Sequence, residues 1–166
     1  MIRKASIEDI EQIRILADTA FRVTYKDILS AEQMEYMMQR MYSQDSLLHQ
    51  MTQENNIFFI EEGKGYASFH SDGSTPDGRS LFHLEKLYVL PEYQKTGLGL
   101  KLFDTVLKEA SLLACGHPFR VELNVNRNNP AVGFYEHIGM YKSRSGDFPI
   151  GKGFYMNDYI MAIDKD

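Results

Sequence analysis

The spacing of apolar residues changes period several times along this 166-residue chain, and each change marks an element. A short first strand is expected over Met1–Ala5. Ile10, Ile13, Ala17 and Ala20-Phe21 then recur at helical spacing, and Ser6-Ile7-Glu8-Asp9 ahead of them offers a capping hydroxyl and first-turn acids. Ser30-Ala31-Glu32-Gln33 is a second helix start of the capping-box kind, and a short third helix follows over about 45–52. The period then drops to two. Ile57–Glu62 and Tyr66–Ser71 flank Gly63-Lys64-Gly65 and read as a hairpin, while 71–80, with Gly73, Pro76 and Gly78, reads as an exposed loop. Leu81–Leu90 is a strand that Pro91 ends. Gly97–Ala114 is an amphipathic helix with Leu98, Leu102, Val106 and Ala110 on one stripe. Phe119, Val121, Leu123 and Val125 alternate as a strand with one buried face. Asn129-Pro130 opens a helix that Gly139 closes, and Met140–Ser143 and Phe154–Ile163 are the last strands. No repeat, linker or low-complexity tract interrupts this order, so residues 1–166 are expected to form a single α/β domain.

One irregularity stands out in the Leu81–Leu90 strand. Its apolar residues are Phe82 and Leu84, then Leu87 and Val89, so the period of two slips between Glu85 and Lys86. One extra residue in the strand, a bulge, produces such a slip and bends the strand; imperfect alternation is the plainer alternative.

Composition narrows the picture modestly. The length and apolar content suit a globular domain with its own core. No stretch is long and apolar enough to span a membrane, and the N-terminus lacks a signal-peptide pattern, so the expected location is the cytoplasm, with no membrane partner. The single cysteine, Cys115, excludes an internal disulfide framework and reads as a packing residue near a helix end. A net charge of −5 argues against a nucleic-acid partner, which needs a basic face. It is compatible with a cationic substrate. The Met-rich second helix (Met34, Met37, Met38, Met41) reads either as ordinary core or as a contact in a homodimer.

Candidate chemistry concentrates in Pro91-Glu92-Tyr93-Gln94-Lys95-Thr96-Gly97-Leu98-Gly99, between a strand end and a helix start. The first helical turn has N–H groups without intrahelical partners, and the helix dipole adds positive potential there. Glycines at 97 and 99 let a phosphate approach the backbone, and a pyrophosphate suits this geometry best. A tight turn alone would also account for two glycines. Neither a P-loop nor a dinucleotide fingerprint is present: no Gly-Lys-Ser/Thr run occurs, and Leu102 stands where a third glycine would be.

Leu87-Tyr88-Val89, Pro91-Glu92-Tyr93 and Gln94-Lys95-Thr96-Gly97-Leu98-Gly99 together resemble the main motif of the GCN5-related N-acetyltransferase (GNAT) superfamily, Gln/Arg-x-x-Gly-x-Gly/Ala. About thirty residues on, Asn128-Asn129-Pro130-Ala131, Phe134-Tyr135-Glu136 and Ile138-Gly139-Met140 resemble its second motif. The resemblance implies a mixed, mostly antiparallel sheet of about seven strands with a bulged, splayed central strand, flanked by about four helices. It also implies an N-acetyltransferase that moves an acetyl group from acetyl-CoA to a primary amine by direct attack in a ternary complex, with no metal.

Carried over residue by residue, the resemblance gives the cofactor backbone contacts around Leu87, Tyr88 and Val89. Gln94, Lys95, Thr96, Gly97, Leu98 and Gly99 would hold the pyrophosphate, with Asn126 and Asn128 as further contacts or helix caps. Tyr135 occupies the position of the acid that protonates the departing thiolate, and its helix face also fits plain core. Glu85 is the candidate base, directly or through water, or else a solvated strand carboxylate; His83 is a weaker substitute. The acceptor side would draw on Tyr25, Asp27, Tyr36 and Tyr155, an aromatic and acidic lining that suits a polyamine. Phe21-x-x-Thr24-Tyr25-Lys26 and Phe154-Tyr155-Met156 loosely resemble bacterial spermidine and spermine acetyltransferases. A protein N-terminus or lysine as acceptor, and a noncatalytic acetyl-CoA sensor, are the alternatives.

Overall fold

Ser6 acts as a cap at the start of the chain. Its hydroxyl accepts from the Glu8 N–H at 3.3 Å, and the Asp9 carboxylate accepts from the Ser6 N–H at 2.8 Å. This box closes a 3-10 turn that runs into α1 (Ile10–Tyr25). The computed structural model describes all residues, Met1–Asp166. After the short β1 (Arg3–Lys4) and α1 come α2 (Ala31–Tyr42) and α3 (Gln44–Thr52), capped by the hydroxyls of Ser30 and Ser43. Then follow β2 (Ile57–Glu61), β3 (Gly65–Ser74), β4 (Ser80–Val89), α4 (Leu98–Leu113), β5 (Phe119–Asn126), α5 (Ala131–His137), β6 (Tyr141–Gly151) and β7 (Phe154–Lys165).

The seven strands form one sheet in the order β1-β2-β3-β4-β5-β7-β6. All neighbours are antiparallel except β4 and β5, which run parallel and are joined by α4 as the crossover. Apolar residues cover both faces. Phe69, Phe82, Val121 and Met161 pack against Leu102, Phe103 and Val106 of α4 on one side. On the other, Phe58, Ile60 and Tyr66 pack against Ile13, Phe21, Met37 and Leu47 of α1–α3. Met34 and Met37 are therefore core residues of this second layer.

The slip in β4 is a bulge. Ser68 of β3 faces Lys86 and Phe69 faces Leu84, so Glu85 is the extra residue. As a result Leu84 and Leu87 both face α4, while Tyr88 is turned toward α1–α3. Pairing with β5 runs from Ser80↔Phe119 to Leu84↔Leu123 and stops at that point. The central strand is thus both bulged and splayed.

Three expectations need correction. The loop expected at 71–80 is confined to Thr75–Arg79, because β3 continues to Ser74 across a second register shift. The strand expected at Met140–Ser143 runs from Tyr141 to Gly151. It is the sheet edge, mostly exposed on both faces, so no apolar alternation marks it in the sequence. Cys115 is exposed just past α4 in a left-handed conformation (φ 53°), and Ala114 fills the core beside it.

The bulge also buries a cation. Lys86 is 5% exposed, and its Nζ donates to Gln50 Oε1 at 2.6 Å and lies 5.6 and 5.5 Å from the ring centres of Tyr42 and Phe58. Burial pushes its ammonium down from the ordinary 10.5 to about 8. The folded chain therefore binds fewer protons here than the unfolded chain, and the site is most costly below that value. Its contribution to stability recovers as pH rises from about 8 toward 10.5. Replacing Lys86 by Met removes ~3 kcal/mol of charge burial, offset by ~2 kcal/mol for the Gln50 carbonyl left without a donor. Lys86→Met is expected to raise Tm by about 3 °C near neutral pH, with the gain shrinking as pH rises above about 8. A lower Tm near neutral pH would show that Gln50 and the two rings solvate the ammonium fully.

Candidate active site

The bulge and the splay leave part of β4 with an unpaired edge. The Leu90 N–H donates to the Lys64 carbonyl at 2.8 Å. By the alternation of an antiparallel ladder, Leu87 and Val89 then point their N–H and C=O groups away from β3, into the gap where β5 would have paired. Tyr88 differs from its neighbours: its backbone groups turn to Tyr66 of β3 and its ring packs 5.7 Å from that of Phe21. Gly65 keeps this edge in line, since a Cβ there would sit 2.8 Å from the Tyr88 carbonyl oxygen.

At the end of this edge lies the Gln94–Gly99 loop. Gln94 Nε2 donates to the Val89 carbonyl at 3.3 Å, and Thr96 Oγ1 donates to the Tyr93 carbonyl at 2.5 Å. Lys95 and Gly97 take left-handed conformations, with φ of 64° and 88°. None of the backbone N–H groups from Lys95 to Leu100 donates to a protein acceptor. The first amide that does is Lys101, to the Gly97 carbonyl at 3.0 Å. Such a run of free donors at a helix start forms an anion-binding concavity. The two glycines serve different ends. Gly97 has open space around it and is required by its φ, whereas a Cβ on Gly99 would meet the Phe134 ring of α5 at 3.4 Å.

Across the gap, the turn from β5 into α5 is built by asparagines. Asn126 Oδ1 accepts from the Asn128 N–H and Asn129 Oδ1 accepts from the Ala131 N–H, both at 2.9 Å. Asn129 is therefore the cap of α5, and Asn128 keeps an exposed, unengaged side chain. Tyr135 of α5 is buried, and its hydroxyl has no hydrogen-bond partner in the protein. Burial pushes this phenol well above its ordinary range, so it stays protonated at neutral pH.

Glu85 lies at the bulge on the α1–α3 side, with a side chain 38% exposed and Oε1 3.3 Å from His70 Nδ1. The same His70 nitrogen is 3.1 Å from Asn56 Oδ1. Glu85 and Lys86 line an open cleft of about 320 Å³ that reaches Met37, Arg40 and Ile150. His83 is on the neighbouring register of β4, and burial pushes its imidazole down. A larger depression of about 630 Å³ lies on the outer faces of α1 and α2, around Asp18, Arg22 and Glu35, and holds no residue of the gap.

The expected acceptor residues divide. Tyr25, at the end of α1, is buried at the gap, with its hydroxyl 3.4 Å from Asn129 Nδ2. Tyr36 donates to the Ile150 carbonyl at 2.6 Å and its ring lies tilted against that of Phe154 at 5.5 Å, so it docks the β6–β7 tip onto α2. Arg40 also donates to the Ile150 carbonyl. Tyr155 is exposed beside this tip, where its carbonyl accepts from Gln33. Asp27 is exposed in the turn after α1, apart from the other three in its surroundings. Sequence reading passed over His70, Lys86 and Asp158. The phase slip at Glu85-Lys86 was a usable signal for Lys86; nothing in the pattern marked the other two.

A family model described as an acetyltransferase (GNAT) domain matches residues 13–154. The chain belongs to this family. It is 27% identical over 150 residues to a spermidine N(1)-acetyltransferase of Thermoplasma acidophilum, covering 80% of this chain and 81% of the relative. A thialysine N-epsilon-acetyltransferase of Mus musculus is 33% identical over 75 residues, 45% of this chain and 42% of that one. Among solved structures, the PaiA N-acetyltransferase of Thermoplasma acidophilum in complex with coenzyme A superposes with a TM-score of 0.68 at 26% identity, covering 98% of this chain and 96% of that chain. A GCN5-related N-acetyltransferase of Rhodopseudomonas palustris gives a TM-score of 0.75 at 19% identity, covering 98% and 93%, and so shares the fold. This chain is thus a GNAT acetyltransferase, an enzyme of the acyltransferase class, with the sheet of that fold.

The loop geometry yields a direct test. Forcing a β-branched residue into the left-handed conformation costs on the order of 1–3 kcal/mol. Gly97→Val is expected to weaken coenzyme A binding by about tenfold or more in calorimetry. Unchanged affinity would sink the assignment of this loop to the cofactor.

Proposed function

We propose that this enzyme transfers the acetyl group of acetyl-CoA to a primary amine of a small cationic molecule, an alkyl polyamine in the first instance. The observation that carries the reading is the unpaired Leu87–Val89 edge running directly into the free amides of Lys95–Leu100. An extended arm with amide groups fits the first as an added strand, and a pyrophosphate fits the second. Pantetheine followed by a pyrophosphate has that order of groups. The relative that suggests the polyamine is the spermidine acetyltransferase, and an acidic protein with aromatic residues around its cleft suits a cationic acceptor.

In this reading the amine loses its proton to Glu85, directly or through water, and its lone pair attacks the thioester carbonyl. The carbon–nitrogen bond forms, and the oxyanion takes a hydrogen bond from a backbone N–H of the Leu87–Val89 edge. Collapse breaks the carbon–sulfur bond, and Tyr135 gives its proton to the departing thiolate. Burial suits Tyr135 to that task, since it keeps the phenol protonated. Transfer is direct. Cys115, the single thiol, lies past the far end of the 16-residue α4, roughly 24 Å from the loop at its start.

Thiol release from acetyl-CoA, measured across polyamines, amino acids and peptides, is expected to be fastest with polyamines, with intersecting double-reciprocal lines. Preference for peptide N-termini or lysines would replace the polyamine reading. No turnover with any acceptor, despite tight coenzyme A binding, would make the protein a cofactor sensor. Tyr135→Phe is expected to lower kcat by about a hundredfold with coenzyme A affinity nearly unchanged; an unchanged kcat would remove Tyr135 as the proton donor.

A further inference from the structure

Two carboxylates are buried on the same side of the β5–β7 region, and the fold treats them differently. Glu122 of β5 faces two guanidinium groups, with Arg120 at 3.5 Å and Arg144 at 3.3 Å. Asp158 of β7 is 2% exposed and faces none. Its Oδ2 accepts from Asn124 Nδ2 at 3.2 Å, and its Oδ1 has no donor in the protein. Arg127, whose charge acts on Asp158 without a contact, is engaged with the Gly146 carbonyl at 2.9 Å and Asp147 at 3.1 Å. A buried carboxylate normally has a cation or several donors, because desolvating the charge is costly. Asp158 has one neutral amide.

Its place in the sheet gives this a purpose. Tyr159, Met161 and Ile163 of β7 pack toward α4, and Met156 packs toward α1–α3. Asp158 alternates with Tyr159 and so shares the α1–α3 side, where Tyr25 lies. It pairs with Asn126, in the stretch of β5 that β4 has already left. The carboxylate therefore sits one strand from the gap, on the side away from α4. Asn124, its sole partner, is exposed and makes no other bond, so its amide can swing aside for a stronger donor.

We propose that Asp158 binds a second, non-reacting ammonium group of a di- or polyamine acceptor, and so selects acceptors with two charges. This rests on the acetyltransferase reading above. The reacting nitrogen is the poorer occupant, since a carboxylate beside it would hold it in the ammonium form, without the lone pair it needs. A distal ammonium has no such conflict, and it supplies the cation that the fold provides to Glu122 and withholds from Asp158.

The test compares 1,4-diaminobutane with 4-amino-1-butanol, which replaces the second ammonium by a hydroxyl. The native enzyme is expected to favour the diamine by about tenfold or more in kcat/KM. Asp158→Asn should collapse that preference toward one, through the KM of the diamine rather than kcat, and Asp158→Glu should restore part of it. An unchanged preference, or an equal loss for both acceptors through kcat, would overturn the assignment while leaving the acetyltransferase reading intact. A large fall in Tm for Asp158→Asn would also overturn it, by making the carboxylate a structural link to Asn124. If neither acceptor turns over, the catalytic reading fails by itself. Calorimetry of 1,4-diaminobutane with the coenzyme A-loaded protein then decides: binding lost in Asp158→Asn supports the site, and binding that is absent or equal in both proteins refutes it.

Discussion

One extra residue in β4 is the constraint on which the candidate site depends. Glu85 has no partner in β3, and its insertion reverses which face each later residue of the strand occupies. The strand bends as bulged strands do, and the parallel ladder with β5 ends at Leu84↔Leu123. Backbone groups of Leu87 and Val89 are left without a strand partner in the middle of a sheet. Unpaired groups in such a position are costly unless a side chain, a ligand or water takes them, and Gln94 takes the Val89 carbonyl. The crossover helix α4 begins where the opened edge ends, and that juxtaposition joins the two halves of the cofactor reading.

The polar groups buried near the gap follow one physical rule with different outcomes. Desolvation disfavours charge, and each group is held by whatever the surrounding elements supply. Lys86 receives a carbonyl oxygen and two aromatic faces, and its ammonium weakens. Tyr135 receives nothing, and burial keeps its proton in place. Glu122 receives two arginines, whereas Asp158 receives one amide and is pushed up by burial. The Tyr135 hydroxyl and Asp158 Oδ1 are left without a partner in the protein.

Local patterns determined much of this by themselves. Period-two and period-3.6 spacing placed the helices and six of the strands near their observed positions, because a half-buried element must present one face to the core. Gly97 and Gly99 were legible as a pair, and the phase slip at Glu85-Lys86 was visible as either a bulge or imperfect alternation, which the register with β3 decides for the bulge. The edge strand β6 was visible only at its start, since a strand exposed on both faces has no alternation to show. Tertiary structure decided what spacing does not encode: that Gly97 is required by its φ while Gly99 merely lies against the Phe134 ring, and that Tyr36 fastens a hairpin tip. It also decided that Asp158 lies without a paired cation one strand from the gap while Glu122 is paired, because β6 brings Arg144 to a carboxylate that already has Arg120 on its own strand. A sequence states which groups can carry charge; only packing states which of them are left without a partner.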